Sequence, residues 1–188
     1  LLLQALENTG LRDNTIILFI SDHGEMLGER GLWYKMSFFE WSARVPMVFH
    51  APGRFAPRRV GQSFSLVDLL PTLAEIALNG KSPVYPDTLD GHSLLPLLEG
   101  KDIKNPAAVY GEMLGEGAVA PLLMIRRGCY KYIYSKPDPE QLFDLENDPS
   151  ELHNLADRQE FQDLRRDFHA EMLQHWDNEA LHKQVIDI

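Results

Sequence analysis

The spacing of apolar and polar positions changes period several times along the chain, and each change marks an element. Leu1-Leu-Leu-Gln-Ala-Leu-Glu-Asn-Thr-Gly10 carries an apolar stripe and closes on a glycine, which predicts the last turns of a helix over residues 1–9. After a turn at residues 10–14, Thr15 to Ile20 is an unbroken apolar run rich in β-branched and aromatic side chains. Such a run predicts a strand buried on both faces of a parallel sheet. Its polar end, Ser21-Asp22-His23-Gly24, falls where open α/β sheets bind ligands, beyond the carboxyl end of a strand. Helix, turn and strand follow α/β grammar. The chain begins in mid-helix and its first hundred residues offer that strand few parallel neighbours, so a longer N-terminal portion is expected to precede it.

Residues 24–43 lose all period. Gly24, Gly28 and Gly31 space out acids and bases ahead of the aromatic-rich Leu32-Trp-Tyr-Lys-Met-Ser-Phe-Phe-Glu-Trp41. A loop this long is functional or disordered, and its aromatics argue for function. Val45-Pro-Met-Val-Phe-His50 predicts a second short strand, and Arg54 to Arg59 a basic loop. Ser65 to Ala77 is apolar at helical spacing, with Ser65 as N-cap and Asp68 three residues on, so a core-facing helix is expected despite Pro71. Lys81 to Asp90 is a proline-bearing loop, and Gly91 to Leu98 predicts a short helix begun near Ser93.

Asp102 to Pro106 marks a boundary, because strand-like segments follow at 107–112, 122–127, 129–134 and 141–145, ending in the turn Glu146-Asn-Asp-Pro149. These predict an antiparallel sheet. Phe161, Leu164, Phe168, Met172 and Trp176 then form a stripe on a charged background, the mark of an amphipathic helix lying on that sheet. Two domains result, 1–105 of α/β type and 106–188 of antiparallel sheet plus helix.

Composition narrows the function classes. A hydrophobic fraction of 44% over 188 residues suffices for a packed core. A net charge of -10 argues against nucleic acid, whose partners present a basic face. No apolar run approaches the roughly 20 residues of a membrane span. The single cysteine, Cys129, excludes an internal disulfide and favours a reducing, cytoplasmic setting. With no histidine near it in sequence, Cys129 reads as a packed strand thiol rather than a nucleophile.

Asp22 and His23 are the first candidates for chemistry. Neighbours on an extended strand point to opposite faces, so both reach one ion only if the chain turns, which Gly24 allows. A carboxylate with an imidazole suits calcium, magnesium, manganese or zinc. The plain alternative is a capping aspartate beside a surface histidine. Lys35, thirteen residues after Asp22, lies in a loop that must fold back over the strand end. Its compact charge suits sulfate or phosphate oxygens and a developing negative charge on a leaving oxygen. A solvated lysine is the alternative.

Glu40 and Arg44 stand four apart and read as a structural pair. Trp33, Tyr34 and Trp41 could line a cationic pocket, although core packing is expected for at least two of them. His92 reads as a capping or surface group, and His153, His169, His175 and His182 as solvated. Leu181 to Ile188 is either a contact with a neighbouring subunit or a frayed tail.

The segment Ser21-Asp-His-Gly-Glu-Met-Leu-Gly-Glu-Arg-Gly-Leu-Trp-Tyr-Lys-Met-Ser-Phe-Phe-Glu-Trp-Ser-Ala-Arg-Val-Pro-Met47 resembles the C-terminal half of a sulfatase of the alkaline phosphatase superfamily, and within it the choline-sulfatases. The likeness continues through Ser65 to Leu73, Gly91 to Leu98 and Gln141 to Leu155, covering nearly the whole chain. It implies the C-terminal part of an alkaline-phosphatase-like α/β/α sheet domain, then a small antiparallel sheet plus helix subdomain. It implies Asp22 and His23 as ligands of a divalent cation, calcium first, with magnesium or manganese as alternatives, and Lys35 as the sulfate-binding residue.

The family nucleophile is a formylglycine made from the cysteine of a Cys-x-Pro-x-Arg motif. That motif is absent here, since Cys129 is followed by Tyr-Lys-Tyr-Ile, and so is the family's N-terminal acidic pair. The expectation is therefore a sulfatase fragment, inactive alone, from an enzyme that releases sulfate and choline from choline sulfate. The intact enzyme is expected to be a homo-oligomer acting on a small-molecule sulfate ester, with neither nucleic acid nor membrane as partner. A phosphonate monoester or phosphodiester hydrolase is the enzymatic alternative. A non-catalytic anion-binding or interaction module is the alternative from another class.

Overall fold

A computed structural model describes residues 1–101, 108–115 and 118–186. The expected boundary at Asp102–Pro106 and the last two residues lie outside the described residues. Packing divides the chain into two units, Leu1–Asp22 with Val45–Pro106, and His23–Arg44 with Ala107–Ile188. Residues 23–44, read from the sequence with the first domain, thus pack with the C-terminal sheet.

In the first unit α1 (Leu2–Asn8) ends at Gly10, whose φ of 70° is the left-handed conformation glycine adopts without a Cβ penalty. Leu11 N donates to Leu6 O at 3.0 Å and closes the helix end. A 3₁₀ turn, Arg12–Asn14, leads into β1 (Ile17–Ile20), which pairs antiparallel with β4 (Met47–His50), Ile20 opposite Met47. The parallel, doubly buried strand expected from the apolar run is not what these residues form. Among the described residues β1 pairs with β4 alone, so Phe19 and Val48 remain exposed. An apolar run reports burial tendency and carries no information on strand direction.

Ser65 caps the 3₁₀ turn Leu66–Asp68 that opens α3 (Leu69–Ala77), with Asp68 Oδ2 accepting from Ser65 N at 2.9 Å. Pro71 sits in the first turn, where a missing N–H costs nothing. Buried Thr72 donates to Asp68 O at 2.6 Å and accepts from Leu94 N at 2.8 Å, tying α3 to the start of α4 (Leu95–Leu98). Ala51, Phe55, Ile76 and Leu95 form the core beneath them.

The second unit is built on an antiparallel meander of β5 (Val109–Met113), β6 (Leu122–Arg127), β7 (Tyr130–Tyr134) and β8 (Gln141–Asp144). Strand alternation gives the sheet two faces. Leu123, Ile125, Tyr132 and Leu142 meet Phe168, Met172 and Trp176 of the α5 region (Gln162–His175), as the amphipathic stripe predicts. Met124, Ile133 and Phe143 meet Met26 and Phe39 from residues 23–44. Gly111 on β5 is what lets Phe38 approach this second face, since a Cβ there would stand 2.8 Å from the Phe38 ring. The C-terminal residues, expected to fray or to dock on another subunit, form α6 (Asn178–Ile186), with Leu181 packed against the α5 cluster.

Residues 24–43 hold more structure than a loop. They contain β2 (Met26–Leu27) paired with β3 (Trp33–Tyr34), and α2 (Glu40–Ala43). Elements of two to four residues are too short for a sequence period to register, and contacts with the sheet, not propensity, hold them.

Candidate active site

Asp22 follows β1 and is the last residue of the first unit before the chain first passes into the second, which begins at His23. His23 is half-buried, and its Nδ1 lies 2.6 Å from the Gly24 carbonyl oxygen. A carbonyl only accepts, so this contact places an imidazole proton on Nδ1. That placement is the one a metal-ligating histidine needs, with its second nitrogen oriented by a backbone acceptor.

The backbone beyond His23 is held against α2. Gly24 N donates to Ser42 O at 2.7 Å and Glu25 N to Trp41 O at 2.8 Å. A Cβ on Gly24 would meet Trp41 O at 2.0 Å, a distance no side chain survives, so this approach requires glycine. Ser42, itself buried, turns its hydroxyl the other way and donates to the carbonyl of Lys35. Ser37 N donates to the same oxygen at 2.8 Å, and Tyr34 enters the turn with φ of 71°. One residue of α2 therefore fixes the chain just after His23 and the chain at Lys35. The Lys35 side chain is exposed.

Two residues important to this segment escaped the sequence reading. Lys131 on β7 is buried, and its ammonium donates to Phe38 O at 2.8 Å and Glu151 Oε1 at 2.9 Å and forms an ion pair with Glu40 Oε1 at 2.6 Å. Glu151, also buried, accepts from Glu40 N through its second oxygen at 2.7 Å and so satisfies the amino end of α2. Glu40 does pair with Arg44, at 3.9 Å, but Lys131 and Arg126 at 3.5 Å are its closer partners. The signal was present in Tyr130-Lys-Tyr-Ile133: parity puts Lys131 on the face of Ile133, and a charge on a buried face demands partners.

Other expectations need correction. Trp33, Tyr34 and Trp41 are 63%, 70% and 57% exposed, not core residues, because the two-residue strands and single helical turn that carry them bury little. His169 is not solvated: its Nδ1 lies 3.0 Å from both Tyr132 OH and Glu140 Oε1. His175 is exposed as expected, with one ring face stacked on Tyr110 at 3.9 Å between centroids, whereas His182 is half-buried. His153 and His92 are exposed. Cys129 is half-buried in the turn between β6 and β7, and burial, then the Asp144 carboxylate, pushes its thiol up, away from nucleophilic reactivity. Among the described residues no three or more His, Cys, Asp or Glu side chains converge as a metal cage, and no helix is long and apolar enough to cross a membrane.

This α/β arrangement, an αβ unit ending in Asp22 and a four-stranded meander under a long helix, is that of sulfatases and their alkaline-phosphatase-like relatives. It superposes on the crystal structure of the phosphonate monoester hydrolase of Agrobacterium radiobacter with a TM-score of 0.78 and 32% identity, covering 98% of this chain and 38% of that one. Residues 28–178 match the family model described as N-sulphoglucosamine sulphohydrolase, C-terminal, and the chain belongs to that sulfatase family. It is similar to the choline-sulfatase of Rhizobium meliloti (strain 1021), 46% identical over 98% of this chain and 36% of that protein. It is also similar to the arylsulfatase K of Gallus gallus, 41% identical over 82% of this chain and 30% of that protein. The chain thus spans about a third of the length of the curated relatives it matches.

Proposed function

We propose that this chain supplies part of the metal and ester-binding site of a sulfuric ester hydrolase that cleaves a small sulfate ester with water to give an alcohol and sulfate. Choline sulfate is the first substrate to test, on the likeness to the Rhizobium choline-sulfatase. The observation that carries the reading is the shared anchor at Ser42, which holds the His23 and Lys35 segments to one helical turn.

The donor set fits a divalent cation: Asp22 offers carboxylate oxygens and His23 an imidazole whose Nδ1 lies 2.6 Å from Gly24 O. Calcium leads, with magnesium or manganese as alternatives. A cation there would hold the nucleophile and polarise the sulfuryl oxygens. Lys35 binds the ester's anionic oxygens and offsets charge gathering on the leaving oxygen. The 188 residues contain no Cys-x-Pro-x-Arg, so the formylglycine would come from sequence outside them and the chain alone is expected to be inert. A homo-oligomer and a cytoplasmic location, the latter on the single cysteine, complete the reading.

A second reading, phosphonate monoester or phosphodiester hydrolysis, is favoured by the structural likeness to the Agrobacterium enzyme. Rates of the full-length protein on choline sulfate, an aryl sulfate, a phosphodiester and a phosphonate monoester separate the two. Preference for a sulfate ester by orders of magnitude supports the first, and the reverse preference overturns it.

A further inference from the structure

The mechanism proposed above leaves a buried charge cluster of the second unit unused. Lys131 and Glu151 are both buried, come from different parts of the C-terminal region, and meet on the sheet face covered by residues 23–44. Each also bonds α2 or the residue leading into it: Lys131 through Phe38 O and the Glu40 carboxylate, Glu151 through Glu40 N. Arg30 adds to the clamp, its guanidinium 4.2 Å above the Phe39 ring and donating to the Glu151 carbonyl. Glu151 has φ of 55°, a left-handed conformation that residues bearing a side chain adopt rarely. Such a conformation persists where the surroundings over-determine it, and it recurs at sites where position matters.

From α2 the connection to the candidate site is short. Ser42 closes α2's single turn, with its N–H donating to Phe39 O at 2.9 Å, and its hydroxyl donates to the Lys35 carbonyl. The amino end of α2 is thus held by Lys131 and Glu151, and its far end holds Lys35. A buried ion pair adds little net stability compared with an apolar pair of the same volume, because desolvation offsets the attraction. What it fixes well is geometry.

We propose that Lys131 and Glu151 are positioning residues for Lys35; the inference rests on Lys35 binding the ester's anionic group. The pair acts through α2 and Ser42 and makes no contact with the ester.

The test is a double-mutant cycle in the full-length enzyme. Glu151→Gln keeps the shape but removes the charge, leaving one acceptor oxygen where two bonds are now made. It is expected to lower kcat/KM by about tenfold to a hundredfold, the usual consequence of moving a binding group by about an ångström. Introduced into a Lys35→Ala enzyme, the same change is expected to lower kcat/KM by no more than about twofold, because the group it positions is already gone. An equal loss in both backgrounds, or no loss in either, overturns the proposal. If Glu151→Gln does not fold, Glu151→Asp, which keeps the charge on a shorter stem, is carried through the same cycle with the same expectation. If the wild-type enzyme turns over no sulfate, phosphate or phosphonate ester, the functional reading fails by itself. Amide exchange over residues 35–43 then decides the positioning: acceleration confined to that segment in Glu151→Gln sustains it, and unchanged exchange overturns it.

Discussion

At the scale of single residues, chemistry and backbone geometry meet at Gly24. The Gly24 carbonyl lies 2.6 Å from His23 Nδ1 while the Gly24 N–H donates to the Ser42 carbonyl. Gly24→Ala drives a Cβ into the Trp41 carbonyl and must displace the segment. The expected cost is about 2 kcal/mol or more of stability, read by chemical denaturation of the full-length protein, together with loss of activity. A variant within ~0.5 kcal/mol of wild type would show that the approach is not as close as described. Asp22→Ala should abolish turnover and lower the bound metal measured by atomic emission, and an unchanged metal content would remove Asp22 from the ligand set. Asp22, His23 and Lys35 were all legible as candidates, because polar groups at a strand end and a lysine in an aromatic loop stand out against an apolar background. Ser42 was not: a serine beside two aromatics carries no sign of which carbonyls it binds.

At the scale of elements, legibility followed length and period. The four strands of the meander and α5 were readable because alternation in Tyr130-Lys-Tyr-Ile-Tyr134 and the stripe Phe161, Leu164, Phe168 persist over enough residues to define a face. The β2–β3 hairpin and α2 were not, since contacts made far away in sequence hold them. One such contact is the buried Lys131–Glu151 pair, and Lys131→Met would leave the buried Glu151 carboxylate without its cation, while Glu40 keeps Arg126 and Arg44. A loss of about 3–5 kcal/mol is expected for breaking a buried pair in this way, measured by denaturation, and a neutral result would contradict the burial of the cluster.

The link between β5 and α5 makes a prediction about pH. Tyr110 donates to Glu171 at 2.7 Å, and burial, then that carboxylate, pushes its phenol up to about 12. A raised folded value means that the folded state holds the proton longer than the unfolded chain, whose phenol titrates near about 10. Its contribution is complete below about 10 and is lost as pH rises from there toward about 12. Tyr110→Phe should flatten the fall in stability over that window, and an unchanged slope would move the effect to another group.

For the molecule as a whole, Asp22 falls in the first compact unit and His23 and Lys35 in the second. This division was hidden in the sequence, because residues 23–44 sit between two segments of the first unit and join the second through the aromatic and apolar groups Met26, Phe38 and Phe39. The C-terminal sulfatase fold itself was legible, since the motifs that carry the resemblance run through both units. The central claim is that Lys35 binds the anionic group of a sulfate ester. It is tested most directly by the rate of the full-length protein on choline sulfate, with and without Lys35→Ala. Turnover by the wild type that falls about a hundredfold or more in the variant, with metal content unchanged, is the expected result. Equal rates for the two proteins, or turnover of phosphate and phosphonate esters alone, would contradict it.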